Sequence, residues 1–486
     1  MRIGENVEAW IRCFILMTMA LLEVSLLNQS VYPCFMGVFP LAREVATVGS
    51  IAGTIVIPVV FSKGGKGIVA SRCFACALLA FAGGGAAAFV ACTLDSAALL
   101  CAGSFVMNMG RSFTTVAATV SMVRLDGVRT ALCVACSLLG SYFFGFVFQA
   151  FPNGAGLLVF SFIPFAIAAL SYRMLLPLIG RIASVASLDG IALVEPRSFL
   201  PRGHVLFASF FVFRLAYGCA LTFNVGEGVP VFPLMPLVPL AVLALWTALK
   251  RGAGPADMLY LLAALSVFAG LLCMLVPRLS VTTLVYTFLF TGSDCFTILM
   301  YYVIAALGRR NVLQSFSVVA WGQCASASGT LAGTVVGHGI SGALALDIDI
   351  AAIVVAFVAL LFFAFNMTAL RSFGFEETIQ SIEAVSDVAL GEGFENDDAD
   401  RRFSDIVDKG CEEAVRRCGL TGREADVLAL LARGRNVPFI EEELVISRNT
   451  IRTHVKHIYQ KTEVHSQQEL IDFVEACGCG WKGSSL

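Results

Sequence analysis

Ser447-Arg448-Asn449-Thr450-Ile451-Arg452-Thr453-His454-Val455-Lys456-His457-Ile458-Tyr459-Gln460-Lys461 is the stretch on which the reading of this chain turns. Ser447 is a good N-cap, because its hydroxyl can accept from a free N–H at a helix start. Arg448, Arg452 and Lys456 follow at intervals of four, which lines them up as one basic stripe on a helix. Ile451, Val455 and Ile458 fall on another face as a core-facing seam. A basic edge beside an apolar edge is what a helix needs to sit in a major groove while anchored to a core. Taken alone, the stretch fits an ordinary amphipathic helix with a solvated basic face equally well. Its neighbours decide.

Upstream, Thr421-Gly422-Arg423-Glu424 forms a capping box that opens a helix carrying Val427, Leu428 and Leu431 on one face. Gly434 is placed to stop that helix. Asn436 and Pro438 suit the entry of the next, with Ile440 and Leu444 four apart. A tight turn through Val445 and Ile446 then leads to Ser447, which gives helix-turn-helix spacing. Downstream, Ser466-Gln467-Gln468-Glu469 is a second capping box, opening a last helix with Leu470, Ile471 and Val474.

These residues closely resemble the LuxR-type helix-turn-helix domain. The resemblance runs from Leu420-Thr421-x-Arg423-Glu424 through Ile440-x-x-x-Leu444-x-Ile446-Ser447 and Thr450-Ile451-Arg452-Thr453-His454 to Val464-His465-Ser466 and Glu469-Leu470. It implies a four-helix module at 419–479 that binds double-stranded DNA. The third helix would enter the major groove, and the fourth would pair two copies into a homodimer. At matching positions the resemblance implies that Arg452, Thr453 and Lys456 face DNA, that His454 lies near the backbone and that Glu424 braces the first and later helices; the expected DNA-binding set is Arg448, Thr450, Arg452, Thr453, His454, Lys456 and Lys461. Two positions depart from the family pattern. Glu441 stands where alanine is usual and Thr462 where leucine is usual, which predicts a re-angled second helix and one lost apolar contact. The module carries more acidic than basic residues over 419–476, so affinity must come from local charge on the third helix.

The rest of the chain lives in another solvent. Of 486 residues 58% are hydrophobic and only 14% charged. Mean hydropathy is +0.82. Soluble domains carry about 25% charged residues, so this is a membrane protein. Most charges lie after Arg371, which places a polytopic membrane domain at 1–371. Runs long enough to cross a bilayer, ~17–25 residues each, fall at 10–28, 46–62, 68–92, 97–121, 130–151, 155–176, 204–224, 230–249, 257–276, 281–307, 314–340 and 349–370. The predicted fold is therefore all-α, with about twelve transmembrane helices followed by the four-helix tail. Trp10 to Leu27 is read as the first membrane helix and not as a cleaved leader.

Basic residues support one orientation. With a cytoplasmic N-terminus, the inner ends and loops hold Arg2, Arg12, Lys63, Lys66, Arg72, Arg124, Arg129, Arg173, Arg181, Arg197, Arg202, Lys250, Arg251, Arg309, Arg310 and Arg371. The outer loops hold only Arg43 and Arg278. This positive-inside pattern places both termini in the cytoplasm of a bacterial cell. The long interior loop at 177–203 divides the runs six and six, a layout that resembles the major facilitator superfamily and implies two pseudo-symmetric halves around a mid-membrane cavity. That family's charged signature between the second and third helices is absent, since the loop reads Lys63-Gly64-Gly65-Lys66-Gly67.

Four ionisable residues sit inside apolar runs, where charge is costly and marks function or a buried ion pair: Glu23, Arg111, Arg214 and Asp294. One reading makes them a small-molecule site favouring an anion. The other makes them a structural pair. Residues 372–418 read as an acidic linker and a lead-in helix with Phe403, Ile406, Val407 and Val415 as its apolar positions. The 16 cysteines are scattered mostly through apolar runs as small packing residues. Cys477-Gly478-Cys479 lacks zinc spacing. No nucleophile–base set, phosphate-cradling glycine loop or metal-ligand cluster is present. The expectation is a membrane-anchored transcription regulator without metal or cofactor, not an enzyme. The alternative is a secondary transporter with a regulatory tail.

Overall fold

A computed structural model describes residues 2–62, 69–149, 151, 153–184, 191, 198–201, 203–222, 237, 241, 256–276, 283–346, 348–371, 373–382, 400–435 and 437–478. The described elements are all helical. The chain divides into two compact units: Met1–Val60, Val69–Gly180 and Pro201–Gln380 in the first, and Phe61–Ile68, Arg181–Leu200 and Ser381–Leu486 in the second.

The first unit begins with α1 (Arg2–Leu26), a π-helical turn (Leu27–Val31) and the short α2 (Tyr32–Met36). Then come α3 (Ala42–Ser62), α4 (Ala70–Leu94), α5 (Ala97–Ser121), α6 (Gly127–Gln149) and α7 (Asn153–Ser184). After the long interior loop follow α8 (Val205–Thr222), α9 (Ala256–Met274), α10 (Thr283–Arg310), α11 (Ser315–Leu346), α12 (Ile348–Thr368) and α13 (Phe375–Gln380). Eleven of the twelve expected runs correspond to these helices. The eighth, 230–249, lies almost wholly outside the described residues.

Among the described residues, nine helical segments are long and apolar enough to cross a bilayer, and the protein is multi-pass. α5 and α11 are as long, at 25 and 32 residues, but are not among the nine. Their sequences are rich in Ser, Thr and Gly, and α5 carries Arg111. Both helices line an internal polar cavity, so they can afford polar side chains that a lipid-facing helix cannot. The opposite case is seen outside, where Leu79, Phe143, Leu158, Phe162, Ile353, Phe357 and Leu360 project outward as a belt suited to acyl chains.

Helix pairs in this unit meet through small residues. Gly329, Gly333 and Gly337 on α11 form a Gly-xxx-Gly-xxx-Gly ridge against α8, with Gly218 of α8 facing Gly333. A Cβ at Gly329 would collide with the Phe211 carbonyl, and one at Gly333 with the Leu215 carbonyl. Gly84 on α4 and Gly103 on α5 make an equally close backbone contact. In lipid, where apolar burial gives no net drive, such close packing holds helices together. α10 is almost wholly enclosed, and its Phe296 stacks on Phe213 of α8 at 4.1 Å between ring centroids. The acidic stretch after Arg371 does not begin as a free tether. Phe375 is fully buried, and Tyr302 of α10 donates to the Glu376 carboxylate at 3.1 Å. Residues 383–399, the rest of the expected linker, lie outside the described residues.

The second unit contains α14 (Asp400–Cys418), α15 (Gly422–Ala432), α16 (Val437–Leu444), α17 (Arg448–Thr462) and α18 (Gln467–Gly478). One core joins all five, built from Val407, Cys411 and Ala414 of α14, Val427, Leu428 and Leu431 of α15, Ile440 of α16, Ile451, Val455 and Ile458 of α17, and Leu470 and Val474 of α18. The lead-in helix is thus part of the tail's core. Its Gly410 lies so close to Val474 that a side chain there would strike the α18 backbone. Gly434 stops α15 as its sequence position predicts, with φ of 71° and the Arg435 N–H bonded back to the Leu430 carbonyl.

Candidate DNA-reading helix and membrane cavity

α17 starts at Ser447, whose hydroxyl accepts from the Thr450 N–H at 3.3 Å. The Thr450 hydroxyl lies 2.9 Å from the same oxygen, and the Thr453 hydroxyl donates to the Asn449 carbonyl. Arg452, Thr453 and Lys456 are exposed on the outer face, while Ile451, Val455 and Ile458 are buried. Among the described residues Arg452 and Lys456 form no ion pair, so both charges face solvent uncompensated. His454 is half-buried beside them.

Two members of the predicted set are engaged elsewhere. Arg448 donates through Nη2 to the Glu441 carboxylate at 3.1 Å. The departure at Glu441 therefore acts on α17 itself, by tethering its first arginine to α16. Lys461 points back into the domain, with Nζ 2.8 Å from Glu424 Oε2 and 3.1 Å from the Gly419 carbonyl. Glu424 is 3% exposed and also accepts from the Thr421 N–H at 2.8 Å, which completes the first capping box. Burial works to raise its carboxyl, but the Lys461 ammonium and the Thr421 N–H and hydroxyl outweigh it and hold it at about 2. Glu424 thus ties the start of α15 to the end of α17. Thr462, the other departure, is buried without an unmet polar group because its hydroxyl donates to the Ile458 carbonyl at 2.8 Å.

The second capping box is rearranged. Ser466 accepts from the Glu469 N–H, but the Glu469 carboxylate reaches the N–H of His465 and not that of Ser466. Buried Gln467 donates to the Leu431 carbonyl at 2.9 Å, pinning the start of α18 to the end of α15. Nothing in the sequence singles out this glutamine, since a polar residue in a first helical turn is ordinary. Val445, in the turn between α16 and α17, has φ of 49° and is 87% exposed. A β-branched residue is strained in that region.

In the membrane unit, a cavity of about 180 Å³ opens among α1, α2, α3, α5, α8, α10 and α11. The π-helical turn brings Leu27 and Asn28 to it, a local irregularity of the kind that often marks functional positions. Arg111 and Arg214 both line it. Arg111 donates to Asn108 Oδ1 at 3.0 Å and to the Ser50 hydroxyl at 3.3 Å. Arg214 donates to Thr297 Oγ1 at 2.8 Å and Ser293 Oγ at 3.3 Å, and its guanidinium lies over the Tyr217 ring at 5.2 Å.

Glu23 and Asp294 are not among the lining residues. Asp294 is buried and accepts from the Tyr142 hydroxyl at 2.5 Å. Glu23 is completely buried, and neither of its carboxylate oxygens has a hydrogen-bond partner. The structure therefore forms no salt bridge among the four predicted residues, and two of them stand apart from the cavity. A third cation takes their place. Arg43 lines the cavity, with its guanidinium 5.5 Å from the centroid of the Tyr32 ring and Nη1 donating to the Leu221 carbonyl. The sequence offers no signal for this, because Arg43 reads there as a charge of an outer loop.

Comparison with known proteins follows the same division. Residues 419–474 match the family described as bacterial regulatory proteins, luxR family. The uncharacterized response regulatory protein YgeK of Escherichia coli strain K12 is 38% identical over 73 residues, covering 14% of this chain and 50% of that one. The fimbriae Z protein of Salmonella typhimurium strain LT2 is 40% identical over 57 residues, covering 12% of this chain and 27% of that one. The chain thus spans half or less of the length of these relatives. Among solved structures, a bacterial homologue of the iron transporter ferroportin in its outward-facing state aligns with a TM-score of 0.53 at 10% identity, covering 74% of this chain and 99% of that one. The chain thus joins an N-terminal multi-pass membrane domain, similar in fold to that transporter homologue, to a C-terminal domain that matches the luxR family.

Proposed function

We propose that this protein is a membrane-anchored transcription regulator and not an enzyme. Its membrane domain, of about twelve helices, senses a small molecule or a membrane state. Its tail reads double-stranded DNA while both termini face the cytoplasm. One observation carries the reading: the exposed, unpaired Arg452 and Lys456 lie on a helix whose other face is locked into a compact core. Phosphate contacts position such a helix and base-edge contacts give it specificity. Arg452, Thr453 and Lys456 are the first candidates for contact, with Thr450 and His454 at the same surface. Arg448 joins them on release from Glu441. Lys461 acts through Glu424 to hold the helix in place. Two copies pair on a divided operator through the last helix, because a single stripe of so few cations binds weakly.

The input follows from thermodynamics. A ligand shifts the tail's activity only through different affinities for two conformations of the membrane domain. Genome-wide mapping of bound DNA, with the full chain and with a chain ending at Arg371, tests the assignment. Discrete promoter sites that vanish with the tail support it. An occupancy map that does not depend on the tail refutes it.

The likeness to a transporter fold favours a second reading, a secondary transporter whose tail is regulatory. Iron itself does not suit this cavity, because three arginines line it and, among the described residues, no carboxylate does. Uptake into proteoliposomes separates the readings: accumulation of solute favours the transporter, and binding without flux favours the sensor.

A further inference from the structure

The cavity of the membrane unit has three guanidiniums in its wall and no Asp or Glu among its lining residues. Three carboxylates of the same helices, Glu23, Glu44 and Asp294, lie outside that lining. The Glu44 carboxylate lies 3.2 Å from His338 Nε2. Asp294 is moreover already engaged by Tyr142. Among the described residues the guanidiniums are partnered by neutral groups: hydroxyls, an amide oxygen and a backbone carbonyl. The Nε atoms of Arg43 and Arg214 are buried and have no acceptor.

Placing cations in a low-dielectric interior without counter-charge is unfavourable, and unmet N–H donors add to the cost. Guanidiniums are also suited to binding carboxylate or phosphate through paired, parallel hydrogen bonds. Hydroxyls from Ser50 and Ser326 line the remaining wall and can donate to the same ligand. The volume, about 180 Å³, is below the range of drug-sized pockets and fits a molecule of metabolite size.

We infer that the cavity binds a small oxyanion, a compact molecule bearing carboxylate or phosphate groups, held by Arg43, Arg111 and Arg214. This deepens the regulator reading and rests on it for the ligand's role as an input signal. Arg43 comes from the loop side of α3, Arg111 from α5 and Arg214 from α8, so one anion bridges helices of both sequence halves. A ligand that draws them together stabilises one arrangement of the halves over another, which is the differential affinity a sensor requires.

The test uses the purified full chain in detergent, with citrate, succinate and inorganic phosphate as anionic probes and glucose and spermidine as neutral and cationic controls. Thermal unfolding and calorimetry read binding. The expected result is stabilisation by at least one anion and by neither control. Arg43→Gln, Arg111→Gln and Arg214→Gln each weaken that binding about ten- to hundredfold, the range for loss of one charge-assisted pair. Succinate or citrate against phosphate distinguishes the carboxylate from the phosphate source. The arginine-to-lysine variants keep the charge and serve where a glutamine variant unfolds, with intermediate affinity expected. The proposal is overturned if no anion stabilises the wild-type chain up to about 10 mM, where even weak specific binding would register. It is equally overturned if the controls bind as well as the anions, or if all three substitutions leave anion affinity unchanged. Operator binding by the same preparations is measured in parallel. Loss of DNA binding with intact anion binding sinks the regulator reading alone, and the reverse sinks the oxyanion site alone.

Discussion

Replacing Glu424 by glutamine tests whether the tail is held together as the structure indicates. The substitution keeps the shape and an acceptor for the Thr421 N–H, but removes the charge facing Lys461. Among the described residues Lys461 then retains only the Gly419 carbonyl as an acceptor. A hydrogen bond to a charged group contributes about 1.5–3 kcal/mol. Glu424 is buried, but the Lys461 side chain is 35% exposed, so water screens part of the interaction. The expected loss is therefore about 2 kcal/mol, in the middle of that range. A domain of this size has a urea slope of about 1 kcal/mol per molar, which moves the midpoint down by about 2 M.

The five helices of the tail share one core, so a fragment spanning 400–478 is the appropriate material. The pH dependence gives a second check. The folded pKa of Glu424, about 2, lies below its unfolded value of about 4.3. Its stabilisation is thus complete above the unfolded value and is lost as pH falls towards the folded one. The gap between wild type and Glu424→Gln should be widest near neutrality and close on acidification. Midpoints agreeing within about 0.3 M at neutral pH would refute the argument, since that is only a few tenths of a kcal/mol. So would a gap that persists at about pH 2, where the folded-state carboxylate is no longer mostly ionised.

Other predictions concern the DNA-reading surface and the packing. Operator affinity should fall with salt, and Arg452→Ala and Lys456→Ala should each reduce the logarithmic slope by about 1, as measured by fluorescence anisotropy; a flat wild-type salt dependence contradicts phosphate contact. Glu441→Ala should free Arg448, raising affinity several-fold and steepening the slope by about 1 in the same assay, whereas unchanged binding means that the tether is irrelevant. Val445→Gly should stabilise the 400–478 fragment to urea by about 1 kcal/mol through relief of backbone strain, and destabilisation would contradict the positive φ. Gly333→Val should disrupt the α8–α11 contact and lower the thermal midpoint of the detergent-purified chain, whereas Gly339→Ala, with open space around it, should not.

Local sequence determined the tail. Thr421, Gly434 and Ser447 are short-range signals, because caps and stops depend on neighbours within a turn, and each is found at its expected place. The seam of Ile451, Val455 and Ile458 is likewise fixed by helical period and is buried as predicted. Hydropathy determined that the chain is a multi-pass membrane protein, since the bilayer imposes length and apolarity on each span without regard to neighbours.

Contacts between distant residues were beyond the reach of those signals. Sequence spacing put Lys461 on the basic helix but did not fix whether its long side chain turned outward or back to Glu424. It read residues 401–418 as a lead-in, whereas α14 supplies part of the tail's core. In the membrane unit, a charge inside an apolar run marked Arg111 and Arg214, but a charge at a helix end hid Arg43, and Glu23 and Asp294 fall outside the lining. A cavity is formed by side chains from helices far apart in the chain, so its membership follows from how the helices pack. Period and composition record what each helix must face, polar or apolar, and the tertiary structure alone decides which partner stands there.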